Sequence, residues 1–211
     1  SNMGELCVRS LLVTGANRGI GLGLVQHFLR MPNPPQWIFA GCRDPKGQRA
    51  QVRLDQEWCL QGAGATVRHL QHSLTRATRA TDTLDTNVVD GKWRLLLYFV
   101  GLNSQGASLR HRGLVGSNWV LPLLKKAAQG SPGSGLSCSK AAIVNMSSIG
   151  GSITSPFPWD LIQGTSYRCS KAALNMLSKC QSLAYKEHGI LCVALHPGWV
   201  QTDMGRSAGH T

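Results

Sequence analysis

The most constraining stretch of the sequence lies between residues 11 and 42, where a strand, a glycine-rich turn, a helix and a second strand follow one another directly. Residues 11–13 form an apolar run typical of a buried strand, and apolar side chains then recur at helical spacing over residues 20–29. Three prolines within residues 31–35 end that helix, since proline cannot continue it. Residues 37–42 are a second apolar run, so the segment predicts a right-handed βαβ unit with parallel strands.

Strand-like and helical segments alternate again later in the chain, at residues 65–70, 94–100, 119–128, 141–146, 167–187 and 190–195. Continuous apolar strands that alternate with helices are typical of a parallel sheet covered on both sides. We therefore predict an α/β protein with a Rossmann-type doubly wound parallel sheet, helices on both faces and a single domain over residues 1–211. Residues 51–118 lack a regular amphipathic period and the chain ends soon after the last strand, so we expect the sheet to be incomplete in its middle and at its C-terminal edge.

Three glycines in the first turn carry the first functional prediction. In a dinucleotide-binding turn, Gly15 would allow the tight bend, Gly19 would let the backbone approach a pyrophosphate, and Gly21 would let the helix lie close to the strand. The N-terminus of the helix adds free N–H groups and the positive end of the helix dipole, which favour an anion. Because the glycines lie between a buried strand and a helix, they predict a bound dinucleotide.

The residues that follow the second strand distinguish between two nicotinamide cofactors. Arg43 lies just past this strand and Arg18 lies inside the glycine turn, and two guanidinium groups suit a 2′-phosphate. Asp44, one residue further on, would instead favour a free ribose hydroxyl. We predict NADP(H) as the cofactor, with NAD(H) as the alternative and two solvated surface arginines as the interpretation without a ligand.

Tyr167 and Lys171 stand four residues apart at the start of the helix predicted over residues 167–187, so their side chains share one face of it. A nearby ammonium favours the phenolate form of a tyrosine, and a tyrosine tuned in this way can donate and accept a proton near neutral pH. An isolated pair of this kind is usually a half-buried tyrosine beside a solvated lysine. Its interpretation therefore depends on the other motifs in the chain.

The net charge and the distribution of apolar residues indicate which kinds of binding partner the chain can have. Lys and Arg number 22 against 10 Asp and Glu, for a net charge of +12, which attracts anions such as nucleic acid, an anionic membrane or a phosphorylated cofactor. The basic residues are dispersed and form no nucleic-acid motif, so we expect no nucleic-acid partner. No apolar run approaches the ~20 residues that span a bilayer, and the N-terminus has no signal-peptide pattern, so we expect no membrane association.

Cysteine usage points to a reducing compartment. The seven cysteines are scattered along the chain and form no C-x-x-C motif. This argues against a disulfide framework and against a metal site. We therefore expect a cytoplasmic protein that binds no metal.

Four motifs follow one another in the order found in one large enzyme family. They are the glycine turn at residues 14–21, the strand end Asn145-Met146-Ser147-Ser148, the pair Tyr167-x-x-x-Lys171, and the loop His196-Pro197-Gly198. The chain therefore resembles the short-chain dehydrogenase/reductase superfamily. Within it, residues 167–175 and the glycine turn with Arg43 are similar to the sniffer or C-factor-like carbonyl reductases.

This resemblance implies a reaction and a set of site residues. Hydride would pass from the nicotinamide of NADPH to a ketone or aldehyde, a small-molecule substrate. Tyr167 would be the general acid, and Lys171 would favour its phenolate and hold the nicotinamide ribose. Ser148, in preference to Ser147, would bind the substrate oxygen. With the glycine turn, the cofactor-binding residues would be Gly15, Asn17, Arg18, Gly19, Ile20, Gly21, Arg43, Tyr167, Lys171, Pro197, Gly198, Val200 and Thr202.

The sequence departs from the family pattern in three places. The family's Asn-Asn-Ala-Gly motif is absent from residues 101–106. Asn118 lies only three residues before Leu121-Pro122, closer than the family's tetrad asparagine would, so that role is not assigned to it. Family members also usually continue beyond the point where this sequence ends. We therefore expect a truncated or variant isoform, and the alternative function is a catalytically impaired fold that binds a nucleotide or a protein. A homodimer is the assembly that the family pattern suggests.

Overall fold

The structure is a computed structural model that describes residues 8–42, 66–71, 95–98, 120–131, 135–154, 159, 164–203 and 205. Six strands form one sheet: β1 (Ser10–Thr14), β2 (Trp37–Cys42), β3 (Thr66–Gln71), β4 (Leu95–Tyr98), β5 (Ala142–Met146) and β6 (Leu191–Leu195). The helices that concern the site are α1 (Gly19–Leu29), α2 (residues 120–129) and α3 (Thr165–Tyr185).

The strands pair in the order β3-β2-β1-β4-β5-β6, and every pair is parallel. The order reverses at β1, because the chain first runs outward from β1 to β3 and then continues on the other side of β1. In open sheets of this kind, ligands bind beyond the carboxyl ends of the strands at the point of reversal. The predicted doubly wound parallel sheet is confirmed, and the point of reversal lies at the carboxyl ends of the neighbouring strands β1 and β4.

Two apolar clusters hold the helices to the two faces of the sheet. The cluster under α1 consists of Val8, Leu11, Val13, Ala16, Leu22, Val25, Phe28, Ile38, Ala40 and Ala142. The cluster under α2 consists of Leu12, Phe39, Val120, Leu124, Ala127, Ala128, Ala141, Ile143, Ile190 and Cys192. Successive side chains of a strand point to opposite faces, so Leu11 and Leu12 of β1 enter different clusters. The third helix, α3, shares the face of α2, because it contacts Asn145, two residues after Ile143 in β5.

Most predicted element boundaries are confirmed to within two residues. The helix predicted over residues 167–187 is α3, which continues as a 3-10 turn at Lys186–His188. Gly189 closes it in the left-handed conformation, at φ +71°, which favours glycine. Within the segment predicted to be irregular, residues 51–118, the structure describes the strands β3 and β4. The other residues of that segment lie outside the described residues.

The described residues bear on the expectations about membrane-spanning helices and about cysteines. No helix within these ranges is long and apolar enough to cross a membrane. Four cysteines are described with their side chains, and Cys138, Cys169, Cys180 and Cys192 are all free thiols. Burial raises the pKa of the Cys192 thiol to about 11, so this thiol stays protonated and unreactive near neutral pH.

Candidate active site

The glycine turn after β1 has the geometry of an anion-binding loop. Gly15 and Gly19 adopt φ values of +67° and +53°, in the left-handed region where side chains are strained. A methyl group at Gly21 would lie 2.3 Å from the carbonyl oxygen of Gly15, so only glycine allows α1 to start this close to the turn. Arg18, the N-cap residue of α1, makes no side-chain capping hydrogen bond. The first N–H groups of α1 are therefore not capped by that side chain, and they face the turn.

The loop after β6 approaches the same turn from the other side. A methyl group at Gly19 would lie 3.6 Å from the Thr202 side chain. The Thr202 hydroxyl accepts a hydrogen bond from the Gly205 backbone N–H at 3.2 Å, and a methyl group at Gly205 would lie 2.4 Å from the Val200 carbonyl oxygen. The segment after β6 is therefore folded tightly against the glycine turn. Together with Thr202, the glycine backbone of the turn and the N-terminus of α1 form a cradle that fits a dinucleotide pyrophosphate.

The other predicted cofactor residues can be placed only in part. Asn17 and Ile20 are half-buried in the turn, and Pro197 and Gly198 follow the carboxyl end of β6, where Gly198 has φ +72°. Arg18 is exposed beside the turn. Arg43 lies outside the described residues, so the predicted pair of guanidinium groups stays a prediction.

Tyr167 and Lys171 lie on one face of the first two turns of α3, as their spacing predicts. The Lys171 Nζ atom is 5.6 Å from the centroid of the Tyr167 ring. Tyr167 is half-buried, whereas Lys171 is only 7% exposed. The Lys171 ammonium donates a hydrogen bond to the Met146 carbonyl oxygen, at 2.9 Å, at the carboxyl end of β5. The lysine is therefore anchored to the sheet rather than solvated.

Burial changes the acidity of this lysine. Desolvation disfavours the charged form and lowers the pKa of Lys171 from 10.5 to about 8. The group is therefore still mainly an ammonium at pH 7, but it loses its proton within the range where enzymes are commonly assayed. A partly buried ammonium beside a phenol is the arrangement that favours proton transfer from that phenol.

Ser148 lies next to Tyr167 across Gly150. A methyl group at Gly150 would lie 3.4 Å from the Ser148 hydroxyl oxygen and 3.8 Å from the Cε1 atom of Tyr167. The Ser148 oxygen accepts a hydrogen bond from the Gly150 backbone N–H at 3.1 Å. The hydroxyl hydrogen of Ser148 is not used in that bond, so it can be donated to an oxygen that enters beside Tyr167.

Ser147 faces away from that space. It is 4% exposed, and its hydroxyl donates to the Asn175 Oδ1 atom at 2.5 Å. The same hydroxyl lies 3.3 Å from the Lys171 carbonyl oxygen. Ser147 therefore binds helix α3, which supports the choice of Ser148 as the serine that could meet a ligand.

Two contacts near the site could not be read from the motifs. A methyl group at Gly151 would lie 2.5 Å from the Lys171 carbonyl carbon and 2.6 Å from the Ala172 nitrogen. The residues after Ser148 therefore touch the backbone of α3 directly, and the consecutive glycines at 150 and 151 were the available signal. The second contact is the bond between Ser147 and Asn175, for which the sequence offers no signal.

A tryptophan lies on the outer side of the same region. The Arg168 guanidinium carbon is 5.5 Å from the centroid of the Trp159 ring, within the range of a cation–π contact. Arg168 follows Tyr167 directly, and its Cγ atom also approaches Gly150. Trp159 is 49% exposed, so its ring lies against Arg168 and is still open to solvent.

Known proteins resemble this chain over most of its length. The sequence profile of the family described as short chain dehydrogenase matches residues 132–211. The short chain dehydrogenase gsfK of Penicillium aethiopicum is 30% identical over 213 residues, which cover 93% of this chain and 78% of that protein. The crystal structure of NADPH-bound carbonyl reductase from chicken fatty liver is 50% identical, with a TM-score of 0.82 over 97% of this chain and 81% of that one. The carbonyl reductase Sniffer of D. melanogaster is 31% identical, with a TM-score of 0.77 over 94% and 84% of the two chains.

These similarities show that the chain belongs to the short-chain dehydrogenase/reductase family of oxidoreductases. Within this family it is similar to the sniffer type of carbonyl reductase.

Proposed function

We propose that the protein is an NADPH-dependent carbonyl reductase that reduces a ketone or aldehyde, with Tyr167 as the general acid. One observation carries the proposal: Tyr167 lies beside both the buried Lys171 ammonium and the Ser148 hydroxyl, at the carboxyl edge of the sheet. These are the groups that a carbonyl oxygen needs when it gains a proton. The relatives that are carbonyl reductases, one of them bound to NADPH, support the same reaction and cofactor.

The cradle beside α1 would hold the cofactor, which supplies the hydride when it is bound. The backbone of the glycine turn and the N-terminus of α1 would bind the pyrophosphate, and Thr202 would close the cradle. Pro197, Gly198 and Val200 would line the nicotinamide side. Arg18, with Arg43 from outside the described residues, would bind the 2′-phosphate that distinguishes NADPH from NADH.

The chain's own residues would handle the substrate oxygen. The Ser148 O–H would donate to the carbonyl oxygen and hold it beside Tyr167. As the carbonyl carbon is reduced, negative charge develops on this oxygen, and Tyr167 would transfer its phenolic proton there to give the alcohol. The Lys171 ammonium would stabilise the phenolate that remains. Trp159 would contribute an apolar surface for the substrate body, opposite the polar groups.

The proposal is tested by separating cofactor binding from catalysis. Tyr167→Phe removes the acidic hydroxyl but keeps the ring, so turnover of a simple aldehyde should fall by about 10²–10⁴, the usual contribution of a general acid. NADPH should raise the melting temperature of this variant as much as that of the wild type, and NADH should raise it less. Tyr185→Phe, on the same helix but roughly 27 Å away at 1.5 Å per residue, is the matched control and should retain turnover.

Three outcomes would count against the proposal. Wild-type turnover that survives in Tyr167→Phe would exclude the tyrosine as the acid. A larger melting shift with NADH would exclude the NADPH preference. A cofactor-induced shift without any turnover in the wild type would favour the alternative, a catalytically impaired fold that binds a nucleotide.

A further inference from the structure

Besides the bond from the Lys171 ammonium to β5, helix α3 is held at the end of this strand by the hydroxyl of Ser147. The Ser147 hydroxyl donates to the Asn175 Oδ1 atom at 2.5 Å, and it also lies 3.3 Å from the Lys171 carbonyl oxygen. Ser147 is buried, and Asn175 is half-buried. A hydroxyl-to-oxygen distance of 2.5 Å is at the short limit for protein hydrogen bonds. The bond therefore defines closely where Asn175 lies relative to the strand end.

Asn175 shares a helix face with the proposed proton-transfer residues. It follows Lys171 by four positions and Tyr167 by eight, and residues at these spacings lie above one another on a helix. A bond at Asn175 therefore fixes both the rotation of this face and its position along the helix axis. Either movement would carry Tyr167 with it, because the helix is rigid over two turns.

The strand end that receives the bond is itself held in place. The Ser147 backbone N–H donates to the Leu195 carbonyl oxygen of β6 at 2.7 Å. Ser148, the next residue, is the proposed ligand of the substrate oxygen. Ser147 therefore links the two halves of the proposed site. Its backbone continues directly into Ser148, and its side chain is hydrogen-bonded to the helix that contains Tyr167.

A second polar contact between α3 and β5 offers a comparison. One turn further along α3, the Asn145 amide donates to the Ser178 hydroxyl at 2.9 Å and to the Gln181 Oε1 atom at 2.8 Å. All three residues are buried. This cluster lies within β5 rather than at its carboxyl end, so it stabilises the packing of α3 at a greater distance from Ser148.

We propose that Asn175 is a positioning residue, which holds Tyr167 at its working distance from Ser148 through the hydrogen bond with Ser147. This inference rests on the reaction proposed above. Asn175 touches neither the substrate nor the cofactor in this role, and its effect passes through the helix to Tyr167. A displacement of about 1 Å in a reacting group can lower a rate about 10²-fold, so a small slip of α3 is enough to matter.

The experiment compares two small truncations on the same helix. Asn175→Ala removes the acceptor of the Ser147 hydroxyl and should lower kcat about ten- to hundredfold, with the NADPH dissociation constant within about twofold of wild type. Asn175→Asp keeps an oxygen acceptor at the same position and should restore most of the activity. Ser178→Ala is the matched control, which should lower the melting temperature but leave kcat near that of the wild type.

A double-mutant cycle tests whether Ser147 and Asn175 act as one unit. In a Ser147→Ala background, Asn175→Ala should cause little further loss of kcat, because the bond is already broken. Additive losses would overturn the pairing. Equal losses of kcat in Asn175→Ala and Ser178→Ala, in proportion to their loss of stability, would reduce Asn175 to a structural role.

One readout does not require turnover. The protein has three tyrosines, so the 13Cζ resonance of Tyr167 can be assigned in 13C-tyrosine-labelled protein by its absence from Tyr167→Phe. Asn175→Ala should shift this resonance, and Ser178→Ala should leave it unchanged. An unmoved resonance overturns the positioning role. If the wild-type protein has no activity but Asn175→Ala still shifts the Tyr167 resonance, the result would support the positioning role and count against the proposed function alone.

Discussion

Helices α1 and α3 are joined to the sheet by different chemistry. On one face, α1 buries glycine and apolar side chains only, namely Gly21, Leu22, Val25 and Phe28. On the other face, α3 buries one leucine together with three polar residues, namely Lys171, Leu174, Ser178 and Gln181. Apolar packing is strong but has no direction, whereas hydrogen bonds fix distance and orientation.

The difference follows the task that the proposed function gives to each helix. Helix α1 has only to present its N-terminus to an anion, and backbone N–H groups do this wherever the helix starts. Helix α3 carries Tyr167, whose hydroxyl must meet a particular atom. Directional contacts from Met146 and Ser147 to this helix are therefore expected near the site, even though buried polar groups stabilise a fold less than apolar ones of the same size.

The largest expected effect comes from removing an apolar side chain between α1 and the sheet. Phe28 is 5% exposed in the cluster under α1, and Phe28→Ala should lower the free energy of unfolding by about 3–5 kcal/mol, as large-to-small core substitutions do. The lesion lies at the end of α1 remote from the glycine turn. Chemical denaturation should reveal the loss, while kcat per folded molecule should stay near that of the wild type. A large drop in kcat without loss of stability would contradict a purely packing role for this face.

A somewhat smaller effect comes from the buried lysine, and it depends on pH. The pKa of Lys171 is lowered to about 8 in the folded chain, so between about pH 8 and 10.4 the unfolded chain binds more protons at this site than the folded one. Stability should therefore rise with pH across this window relative to Lys171→Met, by about 3 kcal/mol in total. Unfolding free energies of both proteins at pH 7 and pH 10.5 measure this difference.

Loss of the same proton should lower activity, although it raises stability. Carbonyl reduction should decline as pH rises through about 8, because the ammonium that stabilises the phenolate is lost. A wild-type protein whose stability relative to Lys171→Met does not change over this range would show that the lysine is not buried as an ammonium.

The smallest expected effect concerns the close approach after Ser148. A methyl group at Gly151 would overlap the backbone of Lys171 and Ala172, so Gly151→Ala should destabilise by about 1–3 kcal/mol and reduce turnover as α3 is displaced. Gly23→Ala is the control, since a methyl group there meets no atom within 4 Å. It lies inside α1 and should stabilise by about 0.5–1 kcal/mol. Thermal melts and kcat of the two variants decide between these outcomes, and equal behaviour would remove the steric argument.

Local patterns in the sequence were sufficient for much of the fold. The apolar run at residues 37–42 predicts β2 without error, and the spacing of Tyr167 and Lys171 predicts their common face because a helix repeats every 3.6 residues. In each case the physical cause acts within a few residues of the chain.

Local sequence patterns did not predict contacts between residues that are far apart in the chain. Ser147 and Asn175 are separated by 28 positions, and nothing in either neighbourhood indicates that they meet. The burial of Lys171 was equally hidden, since lysine is mostly exposed in proteins. The predicted role of Arg43 and the departures from the family pattern at residues 101–106 and Asn118 concern residues outside the described ranges, so they stay predictions.

Hydride transfer itself is the central claim, and isotopic labelling tests it most directly. The protein would be incubated with a simple aldehyde and NADPH carrying deuterium at the transferable C4 position, and the product analysed by mass spectrometry. The account predicts an alcohol with one deuterium on the former carbonyl carbon, formed by the wild type and lost in Tyr167→Phe. Unlabelled alcohol, or none at all from a protein that binds NADPH, would contradict it.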